Sequence, residues 1–210
     1  MMDLILDKPT LRTKLKKSHI TGQHCQRNYD LHQTMNEADV HLIIHAATQC
    51  PSKQNLDFYS VYAIEDRATI EAIYENTQTA RGRKNPQVLG HVLLVFVSNP
   101  DVVDHELINV RNSEQRNRDL PTMLEDMHQA VGVAAGFVNV TASMLGYRTG
   151  CNKCFDHDAI RSILNLKDNQ IPLLMMGVGI KDSTRNRREE HNTGKMIDTF
   201  KKVPIKVTRV

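Results

Sequence analysis

The sequence has few aromatic residues and no long apolar run, and both features limit the kinds of partner that the protein can bind. Aromatic residues make up 5% of its 210 residues and do not alternate with the basic clusters at 12–17, 81–84 and 181–202. Because proteins bind single-stranded nucleic acid by stacking bases on aromatic side chains, these clusters favour an anionic small ligand instead. No apolar stretch approaches the roughly 18 residues of a membrane span. We therefore expect no nucleic-acid partner and no membrane partner.

Cysteine is also scarce, with 4 residues in the chain. Residues 1–6 combine a short apolar run with an acidic residue and no small-residue cleavage site, so we expect no secretory signal. Scattered cysteines fit the reducing cytoplasm better than a disulfide framework. A hydrophobic content of 40% and a charged content of 24% predict one soluble domain over residues 1–210, with 1–24 as an extension that shows little periodicity.

Cys151 and Cys154 form a Cys-x-x-Cys pair that suggests a metal or redox site. A zinc site needs four ligands, and the remaining cysteines, Cys25 and Cys50, are single. A thioredoxin-like pair opens a helix after a strand, whereas this pair follows a long helix. The 10 histidines show no ligand spacing. We predict no metal site, and we interpret the two thiols themselves as incidental.

Residues 120–181 carry the clearest pattern in the chain. Apolar residues recur at intervals of three and four from Met123 to Leu145 and also occupy the other faces, which predicts a buried helix at a domain centre or subunit interface. The pattern then predicts a polar turn, a helix behind an Asp cap and a buried strand, at 148–156, Asp158–Leu166 and Ile171–Ile180.

The segments GVAAGFVNVTASMLGY, FDHDAIRSIL and PLLMMGVG in this region resemble the nitroreductase family of flavin enzymes in their order and spacing. The resemblance implies an α+β fold in which helices pack on a mainly antiparallel sheet. It also implies a homodimer that shares two FMN sites, with NAD(P)H as the reductant and a C-terminal strand exchanged between the subunits.

The amino-terminal part of the resemblance concerns the flavin phosphate. A helix is predicted from Glu37, capped by Asn36. Just before the matching helix, the family has an Arg-Arg-Ser-x-Arg motif whose basic and hydroxyl groups hold the phosphate. The resemblance therefore assigns Arg27 and Asn28 to the phosphate, whereas Asp30 departs from the motif and places a negative charge there.

The segment CPSKQN at residues 50–55 follows this helix and precedes a strand predicted over Phe58–Ile64. It resembles the family's Ala-Pro-Ser-x-x-Asn loop, which contacts the flavin ring, often from the neighbouring subunit. On this resemblance the flavin contacts are Pro51, Ser52, Lys53 and Asn55. Without the resemblance, the loop is a plain helix stop made by the proline.

The next part of the chain is predicted to form a surface helix over Glu65–Gln78 and a central strand over Val92–Val97. Between them, the resemblance assigns Asn85 to an amide contact with the flavin ring, with Lys84 beside it. A solvated basic loop is an equal alternative. Residues 101–120 match a variable family segment that caps the substrate pocket.

The resemblance places the turn of Cys151, Asn152, Lys153 and Cys154 over the flavin. It implies that the backbone N–H of Lys153 points at flavin N5, which makes Lys153 the predicted catalytic residue. The family has a basic residue after its last core strand, and Arg offers phosphate a planar fork of donors. We therefore assign Arg187 and Arg188 to the phosphate, and we predict that residues 189–210 wrap the partner, with a strand over 203–210.

These expectations describe an FMN-dependent oxidoreductase in which NAD(P)H is the electron source and a nitroaromatic, quinone or enone is the acceptor. Two alternatives stay open. The same scaffold supports other flavin chemistry, such as flavin fragmentation or reductive dehalogenation. The departures at Asn28 and Asp30 instead suggest a member that binds flavin or a partner without turnover.

Overall fold

A computed structural model describes residues 7–78, 84–102, 113–182 and 204–209. Within them, the helices are α1 (Lys8–Thr21), α2 (Glu37–Thr48), α3 (Arg67–Glu75), α4 (Ser113–Met144) and α5 (His157–Ile163), and the strands are β1 (Tyr59–Ile64), β2 (Val92–Ser98), β3 (Arg148–Asn152) and β4 (Pro172–Gly179). The strands form one antiparallel sheet in the order β1-β2-β4-β3. The predicted α+β class and antiparallel sheet are confirmed.

The β2 strand is buried along its whole length because helices cover both faces of the sheet. Leu94 and Phe96 contribute to one core with residues of α2 and α4, whereas Leu93 and Val95 contribute to a second core with residues of α3 and α5. A strand buried on both faces has a continuous apolar sequence. The predicted central strand is therefore confirmed. The strand predicted over Ile171–Ile180 is also confirmed, and it corresponds to β4.

Helix α2 begins where the sequence predicts. The Asn36 side chain accepts a hydrogen bond from Ala38 N at 2.9 Å, which satisfies one of the backbone donors that a helix leaves unpaired at its start. The buried residues Val40, Ile43 and Ala47 recur at helical spacing and belong to the core that α4 also lines.

Helix α4 is 32 residues long and begins before the predicted start at Met123. Ala134 and Val138 are fully buried in the core, but Val133 is 39% exposed and Phe137 is 44% exposed. Within one chain, α4 is therefore buried on one side only, and the expected burial on all faces is not observed. An apolar helix face left in solvent is characteristic of an interaction surface.

Helix α4 ends at Met144, and a turn at Gly146 follows it. This residue has a φ of 97°, a conformation that glycine adopts without strain, and Tyr147 N donates to Ala142 O at 2.9 Å behind it. The Tyr147 hydroxyl then donates to Asp39 Oδ2 at 2.7 Å. This bond joins the end of α4 to the first turn of α2.

The amino-terminal extension contains regular structure that the sequence analysis missed. Asp7 caps α1, with Thr10 N donating to Asp7 Oδ1 at 2.7 Å. Ser18 is buried and its Oγ donates to Val140 O at 3.1 Å, which fixes α1 to α4. The helix is thus stabilised by a local cap and by a contact with a distant segment. Neither feature produces the periodic apolar pattern from which a helix is predicted.

Other segments differ from the prediction in smaller ways. The region predicted as a polar turn over 148–156 begins with an edge strand, β3, and the surface helix α3 is shorter than predicted. Residues 204–209 form no strand within this chain. Residues 103–112 of the predicted pocket-capping segment 101–120 lie outside the described residues. No helix in the described part of the chain is long and apolar enough to cross a membrane.

Candidate active site

The outer edge of the sheet brings two predicted regions together. On one side β3 pairs with β4, and on the other side the segment 25–30 approaches, with Gln26 N donating to Thr149 O at 2.7 Å. Gly150 permits this approach, because a Cβ at this position would lie 2.5 Å from Gln26 O. The predicted phosphate motif therefore lies alongside the strand that leads into the predicted flavin turn.

Asn28 and Asp30 are engaged within the chain in ways the sequence did not indicate. Asn28 Nδ2, the predicted phosphate donor, donates to Asp182 O at 3.0 Å. Asn28 Oδ1 is buried without a hydrogen-bond partner among the described residues. The carboxylate of Asp30 is bonded to its own turn, since it accepts from His32 N at 3.1 Å and from Gln33 Nε2 at 2.5 Å.

A buried pair of asparagines shapes the turn after β3. Asn85 Nδ2 donates to Asn152 Oδ1 at 2.8 Å, and the same oxygen accepts from Cys154 N at 2.8 Å. Asn85 N in turn donates to Thr77 Oγ1 at 2.7 Å. The two side chains are 7% and 3% exposed, so they support the turn from inside the protein.

Lys153 lies at the exposed tip of this turn. Among the described residues, none accepts a hydrogen bond from its backbone N–H. His128 of α4 is a neighbour that sequence reasoning missed, because one histidine in a helix carries no signal. Partial burial, and secondarily the Lys153 ammonium group, hold the pKa of His128 below its ordinary value.

The predicted ring-contact loop lies at a separate cleft of about 560 Å³, lined by residues of the segment 48–61, which include Pro51, Ser52 and Asn55. Ser52 Oγ donates to Leu56 O at 2.7 Å, which closes the loop. Asn55 has a φ of 55°, a left-handed conformation that asparagine tolerates better than most residues. Lys53 Nζ bonds to Asp126 of α4 at 3.0 Å.

The predicted site residues therefore form two groups within one chain. Neither Arg27 nor Lys153 lines the cleft beside the loop. Lys84, predicted beside Asn85, pairs with Glu75 and lies 5.9 Å from the centroid of the Tyr74 ring. The predicted phosphate partners Arg187 and Arg188 lie outside the described residues.

The structure also associates the cysteines differently from the Cys-x-x-Cys pattern. Cys151 and Cys25 are neighbours whose interaction lowers the pKa of Cys25 and raises that of Cys151, although these residues are far apart in sequence. The contact between segment 25–30 and β3 brings them together, and no local sequence pattern indicates it. Within the described ranges, no group of His, Cys, Asp and Glu side chains is arranged to hold a metal ion.

Comparison with known proteins assigns this architecture. The sequence model of the nitroreductase family matches residues 20–180. No curated protein sequence matches the chain. Similar solved structures include a nitroreductase family protein from Clostridium novyi NT, with a TM-score of 0.62 and 16% identity over 86% of this chain and 90% of that one.

Two further structures carry flavin-related descriptions. A protein from Exiguobacterium sibiricum, described as a nitroreductase and solved in complex with FMN, has a TM-score of 0.63 and 14% identity over 89% of this chain and 91% of that one. A protein from Staphylococcus epidermidis, described as an NAD(P)H:FMN oxidoreductase, has a TM-score of 0.62 and 16% identity over 84% of this chain and 93% of that one. These structures share the fold, and the family match over most of the sequence shows that the chain belongs to the nitroreductase family of flavin-dependent oxidoreductases.

Proposed function

We propose that this chain is an FMN-dependent NAD(P)H oxidoreductase that reduces an electrophilic acceptor such as a nitroaromatic, a quinone or an enone. Bound FMN supplies hydride transfer between NAD(P)H and the acceptor. The observation that carries the proposal is the turn after β3. Its shape is fixed by the buried Asn152, while the N–H of Lys153 at its tip has no acceptor among the described residues.

The groups around this turn suit the parts of FMN. Arg27 is a half-buried guanidinium group on the segment next to β3, where it supplies charge-assisted donors to a phosphate. Asn28 Oδ1, which has no hydrogen-bond partner among the described residues, is an acceptor, so it suits a ribityl hydroxyl better than a phosphate. The Lys153 N–H is a donor for a ring nitrogen. The carboxylate of Asp30, which departs from the family motif, is bonded within its own turn.

The part played by Lys153 in this proposal is that of a pre-oriented backbone donor. A donor whose position is fixed before the reaction costs no reorganisation when charge develops at the atom it faces. Asn152 provides that fixation by accepting from Cys154 N on one side and from Asn85 on the other. The ammonium group of Lys153 is exposed and is not required for this role.

The loop residues Pro51, Ser52, Lys53 and Asn55 enter the proposal through a second copy of the chain. They lie at a different cleft from the turn after β3, so we propose that they complete the flavin site of the partner in a homodimer. The exposed α4 face with Val133 and Phe137 supplies an apolar surface for the partner. We propose that residues 189–210, which follow the predicted phosphate partners Arg187 and Arg188, strengthen the same dimer.

A spectroscopic experiment tests this function. The purified protein is loaded with FMN and titrated with NADPH and with NADH under anaerobic conditions while the flavin absorbance is followed. Bleaching by either nucleotide, followed by recovery on addition of a quinone or nitroaromatic, supports the proposal. If neither nucleotide bleaches the flavin-loaded protein, NAD(P)H is not the reductant. If the protein cannot be loaded with FMN, the proposed function as a whole is contradicted.

A further inference from the structure

The Cys25 sulfur lies in a group of donors of which the proposed flavin site uses only Arg27. Cys151 and Gln87 direct side-chain hydrogen bonds to it, the backbone of Cys151 adds another, and the Arg27 guanidinium group lies close enough to contribute its charge. The sulfur is thus surrounded by groups that favour its thiolate. Cys25 is also exposed, so a small molecule in solvent can reach it.

A backbone hydrogen bond holds the segment that contains Cys25 against β3, which contains Cys151. Gln26 N donates to Thr149 O at 2.7 Å, one residue after Cys25 and two residues before Cys151. Close packing at Gly150 keeps the segment against β3, because a Cβ there would meet Gln26 O at 2.5 Å. The proximity of Cys25 and Cys151 therefore follows from the packing of the backbone segments.

From this geometry we propose that Cys25 is a site of reversible oxidation by hydroperoxides, with Cys151 as the resolving thiol that closes a Cys25–Cys151 disulfide. The proposed oxidation needs no flavin, although it shares Arg27 with the proposed phosphate site. It differs from the Cys151-x-x-Cys154 pairing that the sequence suggests, because Cys154 lies beyond the turn with its backbone N bonded to Asn152.

The chemistry balances as two steps. The Cys25 thiolate attacks one oxygen of the hydroperoxide, so that an S–O bond forms as the O–O bond breaks, and the departing alkoxide takes a proton from solvent. Cys25 is then a sulfenic acid. The Cys151 sulfur attacks it, an S–S bond forms as the S–O bond breaks, and the hydroxyl group leaves as water with the Cys151 proton. The hydroperoxide is reduced by two electrons, and the two thiols are oxidised.

The titration of the pair agrees with these roles. The hydrogen bond from Cys151, together with the other donors, lowers the pKa of Cys25 to about 6, so Cys25 is ionised at neutral pH. The same hydrogen bond and burial raise the pKa of Cys151, which keeps its proton until it resolves the sulfenic acid. Tyr29, which is buried near both sulfurs, has a raised pKa through burial and stays neutral.

The test uses FMN-loaded full-length protein treated with hydrogen peroxide. Remaining thiols are blocked with N-ethylmaleimide, and the protein is digested without reduction for mass spectrometry. We expect a peptide pair linked through Cys25 and Cys151 that disappears after dithiothreitol. The variants Cys50→Ser and Cys154→Ser are controls and should form the same link. A Cys151–Cys154 disulfide, or oxidation of Cys25 no faster than that of the exposed Cys154, overturns the proposal.

Two substitutions at Cys151 separate its donor role from its resolving role. Cys151→Ser keeps a hydroxyl donor but cannot form the disulfide, so peroxide should leave a Cys25 sulfenic acid that dimedone traps. Cys151→Ala removes the donor as well, and the pH midpoint for alkylation of Cys25 by iodoacetamide should rise from near 6 in the wild-type protein. An unchanged midpoint in Cys151→Ala, or no dimedone adduct in Cys151→Ser, contradicts the proposed roles.

Discussion

Asn85 and Asn152 bond to each other across 67 residues of sequence, with Asn85 Nδ2 donating to Asn152 Oδ1 at 2.8 Å in the interior of the protein. The same oxygen also accepts a hydrogen bond from Cys154 N, so one buried atom holds the turn that carries Lys153. A buried amide network of this kind is rigid only while every donor keeps its partner. The geometry of the proposed active site therefore depends on residues that lie beneath it.

The first prediction concerns this network. Asn152→Ala leaves the Asn85 amide and the Cys154 N–H without their acceptor, and an unsatisfied buried donor costs about 1–3 kcal/mol. We expect the melting temperature to fall by roughly 2–12 °C for a chain of this size, together with weaker FMN retention. The double variant with Asn85→Ala should be less destabilised than the sum of the two single variants. Strict additivity would show that the pair is not coupled.

The second prediction tests the phosphate site. Arg27→Ala should raise the FMN dissociation constant by about tenfold or more, because a hydrogen bond to a charged group contributes about 1.5–3 kcal/mol. Isothermal titration or fluorescence quenching of FMN measures this constant. The matched control is Arg161→Ala, since Arg161 bonds to Asp168 O at 2.8 Å on the far helix α5. A change of less than about threefold for Arg27→Ala would show that the phosphate is held elsewhere.

A third prediction addresses the proposed dimer. Phe137→Glu places a charge on the exposed apolar face of α4, and burying an unpaired charge at an interface costs several kcal/mol. We expect the wild-type protein to sediment as a dimer and the variant to shift towards the monomer with loss of FMN. Ile171→Glu is the control, because Ile171 is 45% exposed and directly precedes β4 instead of lying on α4. Equal sedimentation of all three proteins contradicts the assignment of this face.

The carboxyl-terminal tail gives a fourth prediction. If residues after Phe200 add a strand to the partner, deleting them should lower the stability of the dimer and its FMN occupancy, because an added strand contributes main-chain hydrogen bonds. Sedimentation velocity and the ratio of flavin to protein absorbance measure both effects. An unchanged sedimentation coefficient with full FMN occupancy would exclude the exchange.

Local patterns predicted the parts of the fold that local physics determines. The Asn36 cap, the helical spacing of α2 and the continuous apolar run of β2 are each visible in residues that are close together in the sequence. The edge strand β3 was missed because Arg-Thr-Gly-Cys-Asn lacks apolar alternation, and its conformation comes from pairing with β4 and from contact with Gln26.

The candidate site was harder to predict, because its decisive contacts join distant segments. Resemblance to the family proposed Asn85 and Asn152 as flavin contacts, but no pattern indicated that their amides bond to each other. The contact of Cys25 with Cys151 and the position of His128 near Lys153 likewise depend on the packing of whole elements. The cleft beside the loop at 51–55 is not lined by Lys153, a relationship that no local sequence pattern indicates.

The last prediction concerns Lys153, for which the backbone and the side chain make opposite forecasts. The N–H of Lys153 has no acceptor among the described residues, and its side chain is exposed. If the N–H is the group that faces flavin N5, it is retained in Lys153→Ala, and bleaching of the flavin by NADPH should persist within a few fold of the wild-type rate. Lys153→Pro removes the donor and should slow bleaching severely.

Proline also restricts the residue before it, which here is Asn152, so the turn itself needs a control. FMN occupancy and melting temperature are therefore measured beside the stopped-flow rate, and only flavin-loaded protein is compared. Lys153→Gly supplies a second comparison, since it keeps the N–H but loosens the backbone, and it should fall between the other two variants. Wild-type bleaching by flavin-loaded Lys153→Pro would exclude the backbone donor, whereas loss of bleaching in Lys153→Ala would make the ammonium group the catalytic one.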